Sequence, residues 1–206
     1  MKRKLMLASA VAGALSVSVA QAQDASQWSV KAGAHWLSPK DSNGALEIPG
    51  VGRVGTDVDD AIGFTFVVTY QASPHWAVEL LAAAPFSHDI ELEGVGTAET
   101  KHLPPTLSWV YTWNPDGRWQ PYFGAGINTT IFFDESPDNL DLGDAIGPAL
   151  VGGIDYMLND RWFLNLDLRW IDINAEVKVD GNSGDIGTVS IDPFAAGLMV
   201  GYRFGQ

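Results

Sequence analysis

The sequence predicts an all-β chain, an eight-stranded antiparallel transmembrane β-barrel with short periplasmic turns and long extracellular loops. Three observations lead there. Apolar and polar residues alternate with period two through eight segments, the spacing at which side chains change faces only in a strand. The connections alternate between tight turns and long polar loops, the organisation of outer-membrane barrels. Aromatic residues gather at the ends of these segments, where a lipid-facing wall meets the membrane interfaces.

The first segment sets Trp28, Val30, Ala32, Ala34 and Trp36 against Ser29, Lys31, Gly33 and His35. The second opposes Phe64, Phe66, Val68 and Tyr70 to Thr65, Thr69 and Gln71, and the third opposes Trp76, Val78, Leu80, Ala82, Ala84 and Phe86 to Ala77, Glu79, Leu81 and Ala83. Leu107, Trp109, Tyr111 and Trp113 define the fourth, and Phe123, Ala125, Ile127 and Ile131 the fifth. The sixth carries Leu150, Ile154 and Tyr156, and the seventh sets Trp162, Leu164, Leu166, Leu168 and Trp170 against Asn165, Asp167 and Arg169. Phe194, Ala196, Leu198, Val200, Tyr202 and Phe204 complete the last.

Tight turns fall at Ala72-Ser73-Pro74, Asn114-Pro115-Asp116-Gly117 and Asn159-Asp160, residue types that preset turn dihedrals. Stretches 38–60, 87–100, 134–143 and 179–187 are long, polar and Gly-rich, and are read as loops. Lipid is chosen over a soluble barrel because the polar faces carry Glu79, Asp155, Asp167 and Arg169 opposite dense apolar rows. Trp28 and Trp36 are eight residues apart, about 26 Å along a strand, which projects at a tilt near 40° to about 20 Å, close to the apolar band of such barrels.

The N-terminus specifies export. Lys2, Arg3 and Lys4 precede an apolar run from Leu5 to Val19, and Ala20-Gln21-Ala22 offers a small-x-small cleavage site. Residues 1–22 are read as a signal peptide and 23–206 as the barrel. The run is shorter than the roughly 20 apolar residues of a membrane-spanning helix. There is no Cys, which excludes a disulfide scaffold. A net charge of −13 argues against nucleic acid as a partner.

Eight strands leave an interior only wide enough for side chains, so any transport needs a narrow gated path or a lateral opening in the wall. Leu81, Ala83, Tyr122 and Val151 are candidate lining residues, with Arg169 as a polar constriction. That mixed lining suits an apolar solute, and equally suits a packed interior that conducts nothing. Glu79, Asp155, Asp167, Arg169 and Arg203 are expected to form an interior charge network, because isolated charges are costly to bury.

His88 and His102 flank a hairpin, but their parities differ, so no metal site is expected. The acidic stretch from Asp134 to Asp144, with Glu135, Asp138 and Asp141, is read as a solvated loop, and its alternative is a divalent cation shared with lipopolysaccharide. No catalytic motif groups a nucleophile with a base, so neither an enzyme nor a cofactor is expected. Lipid and lipopolysaccharide are the expected surroundings. The aromatic-x-aromatic Tyr202-Arg203-Phe204 is similar to the C-terminal strand signal read by the barrel-assembly machinery.

Several strings resemble the outer membrane protein W family: VELLAAAPF (78–86), HLPPTL (102–107), PYFGAGIN (121–128), IDYML (154–158) and IDPF…GYRF (191–204). They lie in one order along the mature chain. The tail Gly205-Gln206 departs from members that finish on Phe. The resemblance implies an eight-stranded barrel with a narrow, largely hydrophobic interior that admits small hydrophobic molecules. The alternative within the same resemblance is a non-conducting surface barrel acting as a receptor, adhesion or envelope-protection protein.

Mass spectrometry of the protein from outer-membrane fractions is expected to give a chain beginning at Gln23. A retained Met1 would refute the cleavage assignment.

Overall fold

The computed structural model describes residues 27–48, 50–92, 94–136, 140–179 and 186–205. Residues 1–22, expected to be a signal peptide, therefore lie outside the described residues. Eight strands close on themselves: β1 (Trp28–Ser38), β4 (Ala61–Gln71), β5 (Trp76–Ala83), β8 (Thr106–Thr112), β9 (Trp119–Ser136), β11 (Ala145–Met157), β12 (Trp162–Ile171) and β15 (Phe194–Arg203). Each pairs antiparallel with its neighbours in that order, and β15 returns to β1. The seam runs from Ser29 opposite Arg203 to Ser38 opposite Phe194. Closure is obligatory in hydrocarbon, where no water is present to satisfy an open edge.

All eight sequence segments become barrel strands, with the expected outward faces except at Phe86 of the third. Phe64, Leu107, Leu150, Leu166 and Leu198 point outward, while Thr65, Glu79, Val151 and Asp167 point inward. The three short turns form as their residues dictate. The Asn159 side chain accepts from the backbone N–H groups of Arg161 and Trp162, Gly117 N–H donates to the Asn114 carbonyl, and Ala72 N–H donates to the Trp76 carbonyl. Around this end runs an aromatic girdle in which Trp28 meets Tyr70, Trp76 meets Tyr111, Trp119 meets Tyr156 and Trp162 meets Tyr202, with ring centroids 4.4–4.9 Å apart.

The opposite end differs from the loops expected there. The strands β2 (Gly44–Ile48), β3 (Gly52–Val58), β6 (Phe86–Leu92), β7 (Gly96–Leu103), β10 (Leu140–Leu142), β13 (Asn174–Val179) and β14 (Gly187–Ser190) occupy much of stretches 38–60, 87–100 and 134–143 and flank 179–187. They pair in the order β10-β13-β14-β2-β3-β6-β7-β9 and build a second tier on top of the barrel. Of the acidic stretch, Asp134 and Glu135 belong to β9, Asp141 belongs to β10, and Asp138 lies outside the described residues.

Between the two tiers the polarity turns inside out. Within the bilayer the outward positions are apolar, and the inward ones mix polar and charged side chains such as Lys31, Glu79, Asp167 and Arg169 with apolar ones such as Val67, Phe163 and Met199. Above it, Val54, Ile90, Ala98, Ala175 and Val177 point inward, while Arg53 and Glu176 face solvent. Water outside and packing inside account for the reversal. Phe86 shows its cost to sequence reading: the expected outward row of Trp76 to Phe86 breaks at Pro85, and Phe86 is buried inside.

Leu198 sits mid-strand on the lipid face, opposite Ala34 and Leu166. Leu198→Arg is expected to destabilise the barrel by about 2–4 kcal/mol, the cost of such a charge near the bilayer midplane. Val95→Arg, at the exposed β6–β7 turn, is expected to change little. Urea unfolding in vesicles, followed by Trp fluorescence, checks both.

Candidate functional site

The barrel interior carries a continuous network of buried ionic and hydrogen-bonding side chains. On β1, the inward positions place Lys31 and His35 four residues apart, so both reach the lumen one above the other. Lys31 Nζ stands 2.6 Å from Glu79 Oε1 and lies over the Tyr122 ring. The other Glu79 oxygen accepts from Arg169 Nη2 at 3.2 Å. Arg169 also grips Asp167 with Nε at 2.7 Å and Nη2 at 3.0 Å, the forked geometry in which guanidinium–carboxylate pairs are strongest.

Asp167 is shared further. Tyr122 Oη donates to its Oδ2 at 2.8 Å, and His35 Nε2 lies 3.0 Å from its Oδ1, with Nδ1 held against Thr65 Oγ1 at 2.7 Å. Asn165 links Tyr122 Oη to Asp155 Oδ1, and Arg203 donates to Gln120 near the periplasmic mouth. Close approach at β15 makes room for this: a Cβ at Gly197 would lie 2.2 Å from His35 Nε2. Lys31, Glu79, Asp167 and Arg169 are all at most 3% exposed. Two carboxylates thus meet two cations in a site with little water, and each ion's desolvation is offset only while its partners stay in place.

Above this network lies an apolar interior of a different kind. Phe132, Leu142, Ile171, Ile173, Val177 and Ile191 belong to one buried cluster that fills the upper tier. The ladders around it are short. β3–β6, β10–β13 and β14–β2 each hold three register pairs, against ten for β1–β4 and twelve for β9–β11. The β6–β7 ladder is the exception, with seven pairs.

Between the tiers the wall is interrupted. Leu81–Thr106 is the last β5–β8 pair, and β6–β7 resumes at Phe86–His102. The interval contains Pro85, Pro104 and Pro105, which cannot donate to a ladder. On the other flank, the described ladder of β4 with β5 ends with the Ala84 N–H donating to the Phe64 carbonyl. There the Phe86 ring lies directly on Gly63, where a Cβ would come within 2.2 Å of it. Phe86 thus packs inside the barrel beside this break in the ladder.

The candidate lining residues do not form one surface. Leu81 packs with Val67 and Met199, and Tyr122 and Val151 pack with Val110. Ala83 leans on the cluster of Leu37, Phe86 and Ala195. Glu79, Asp155, Asp167 and Arg169 do converge, Arg203 stands nearer the mouth, and Arg169 is the central bridge. Sequence reasoning passed over Lys31 and His35, although their inward parity was visible beside Gly33. His102 points inward between Phe86 and Phe132, at centroid distances of 5.7 and 5.6 Å; the His88 side chain lies outside the described residues.

A closed eight-stranded barrel with a lipid-facing apolar belt, an aromatic girdle and an ion-paired interior defines a small integral outer-membrane barrel protein. The OmpW family profile matches residues 24–204, and the chain belongs to that family. Outer membrane protein W of Escherichia coli K12 is 34% identical over 217 residues, spanning 99% of this chain and all of that protein. Outer membrane protein AlkL of Ectopseudomonas oleovorans is 30% identical over 149 residues, 68% of this chain and 65% of that one. The crystal structure of OprG from Pseudomonas aeruginosa superposes with a TM-score of 0.78 at 30% identity, covering 87% of this chain and 96% of that one. The protein therefore resides in the outer membrane.

Arg169→Met is expected to lower stability by about 3–5 kcal/mol, because it strands buried carboxylates. Adding Asp167→Asn should recover part of the loss. Urea unfolding of the single and double variants measures both.

Proposed function

We propose that this barrel admits small hydrophobic molecules passively from outside the cell, and that they leave sideways through its wall. The observation that carries the reading is the stacking of an apolar interior directly above an ion-paired plug, with a proline-bordered break in the strand ladder between them, which we read as a window. An apolar solute gains by entering the upper tier, but it cannot continue downward without displacing paired buried ions. The window offers a route into the hydrocarbon layer, where the solute stays desolvated. The relatedness to AlkL and OprG is consistent with a shared role at the outer membrane.

A sealed lower lumen also suits a non-conducting surface barrel whose outer tier binds partners or shields the envelope. The buried apolar tier above the window favours uptake, because a purely protective tier needs no gap in the wall beneath it.

Uptake of n-octane by cells expressing the barrel is expected to exceed that of cells lacking it. At matched surface levels Ile173→Arg, which charges the upper interior, should abolish the gain, and Phe86→Ala, which uncovers the window, should increase it. Equal uptake with and without the barrel would sink transport of this solute and favour the surface role. Uptake unaffected by Ile173→Arg would refute the route.

A further inference from the structure

The upper interior is not uniformly apolar. Every described buried side chain on β10, β11, β13 and β14 is apolar, among them Leu142, Ala149, Val177 and Val189. Beside them, β7, β8 and β9 carry an inward stripe of Thr100, His102, Thr106, Ser108, Asn128 and Thr130, each at most 2% exposed and flanked by the apolar Ala98, Val110 and Phe132. The stripe descends from the outer tier, past the window, to the ion network: Ser108 is the register partner of Glu79.

Its middle is satisfied internally. Thr130 donates to Asn128 at 2.6 Å, Asn128 to Thr106 at 3.0 Å, and Thr106 to the Pro104 carbonyl at 3.1 Å. Its two ends are not. Among the described residues, Thr100 Oγ1 and Ser108 Oγ are buried without a hydrogen-bond partner. A hydroxyl kept away from water without a partner is costly, and such groups in a folded protein call for an explanation. An apolar interior crossed by one hydroxyl stripe is complementary to a solute that is apolar but for a single polar group.

We propose that the preferred solute is an uncharged amphiphile, a hydrocarbon bearing a single hydroxyl, whose polar end is received by Thr100 and Ser108. The inference rests on the uptake reading above and narrows its solute class. A hydroxyl both donates and accepts, so it satisfies either end of the stripe while its hydrocarbon lies on the surrounding apolar side chains. An alkane leaves both ends unpaired. A carboxylate finds no Lys or Arg along the stripe, and below it meets cations already paired with Glu79 and Asp167. Polar sites that a solute leaves unpaired are a strong source of discrimination.

The test compares 1-octanol with n-octane, each as the initial uptake rate relative to cells lacking the barrel. Wild type is set against the Thr100→Val/Ser108→Ala double variant, with surface level and heat-modifiable migration matched to establish folding. Wild type is expected to accelerate 1-octanol about fivefold more than octane, the ratio one ordinary hydrogen bond supplies. The double variant should bring that ratio to one and leave octane entry unchanged. Equal acceleration of both solutes, acceleration of octane alone, or an octanol preference that survives the double variant overturns the inference while leaving uptake intact. Acceleration of neither solute overturns uptake and this inference together.

Discussion

A strand in hydrocarbon must find a backbone partner on each side, and in this chain that demand is met by joining the first barrel strand to the last. Much of the remaining architecture follows. Closure with eight strands fixes a bore that side chains fill. A filled bore inside a wall whose lipid face takes the apolar residues leaves polar and charged groups for the interior. Those groups survive there only as partners of one another, hence the arrangement of Lys31, Glu79, Arg169 and Asp167 with His35 and Tyr122 bound to its edge. Outside the bilayer the demand lapses, ladders shorten and the apolar face turns inward.

This two-storey character explains how far the amino-acid sequence could be read. The membrane tier was legible because lipid imposes one rule on every strand: Trp162, Leu164, Leu166, Leu168 and Trp170 alternate with Asn165, Asp167 and Arg169 without interruption. The outer tier was not, because its strands are brief, acidic on the water side and rich in glycine. Gly52–Val58 therefore reads as loop composition, and most of Asn174–Val179 falls outside every segment the alternation defines. The turnover at Pro85 hid a second time, by carrying Phe86 to the face opposite the one its row predicts.

The interior network was half legible for a related reason. Carboxylates and arginines set among apolar rows announce themselves, as Glu79 and Asp167 did. Lys31 and His35 sit among Ala and Gly, where an inward side chain looks no different from an exposed one until the opposing strands are in place. Which inward residues touch depends on register across the bore, and Lys31 reaches Glu79 from a strand 48 residues away in sequence. Alternation within one strand carries no such information.

The seam between β1 and β15 has a consequence for biogenesis. Its ten register pairs join residues from opposite ends of the barrel-forming chain, so no N-terminal fragment can complete the cylinder as it emerges. Until the final strand arrives, both edges would expose unpaired amides and invite association with other chains. The polypeptide must therefore be kept unfolded and soluble while crossing the periplasm, a task its acidic character assists through self-repulsion. The cylinder is then completed only when β15 reaches β1, so the last barrel strand decides whether the first one holds its place.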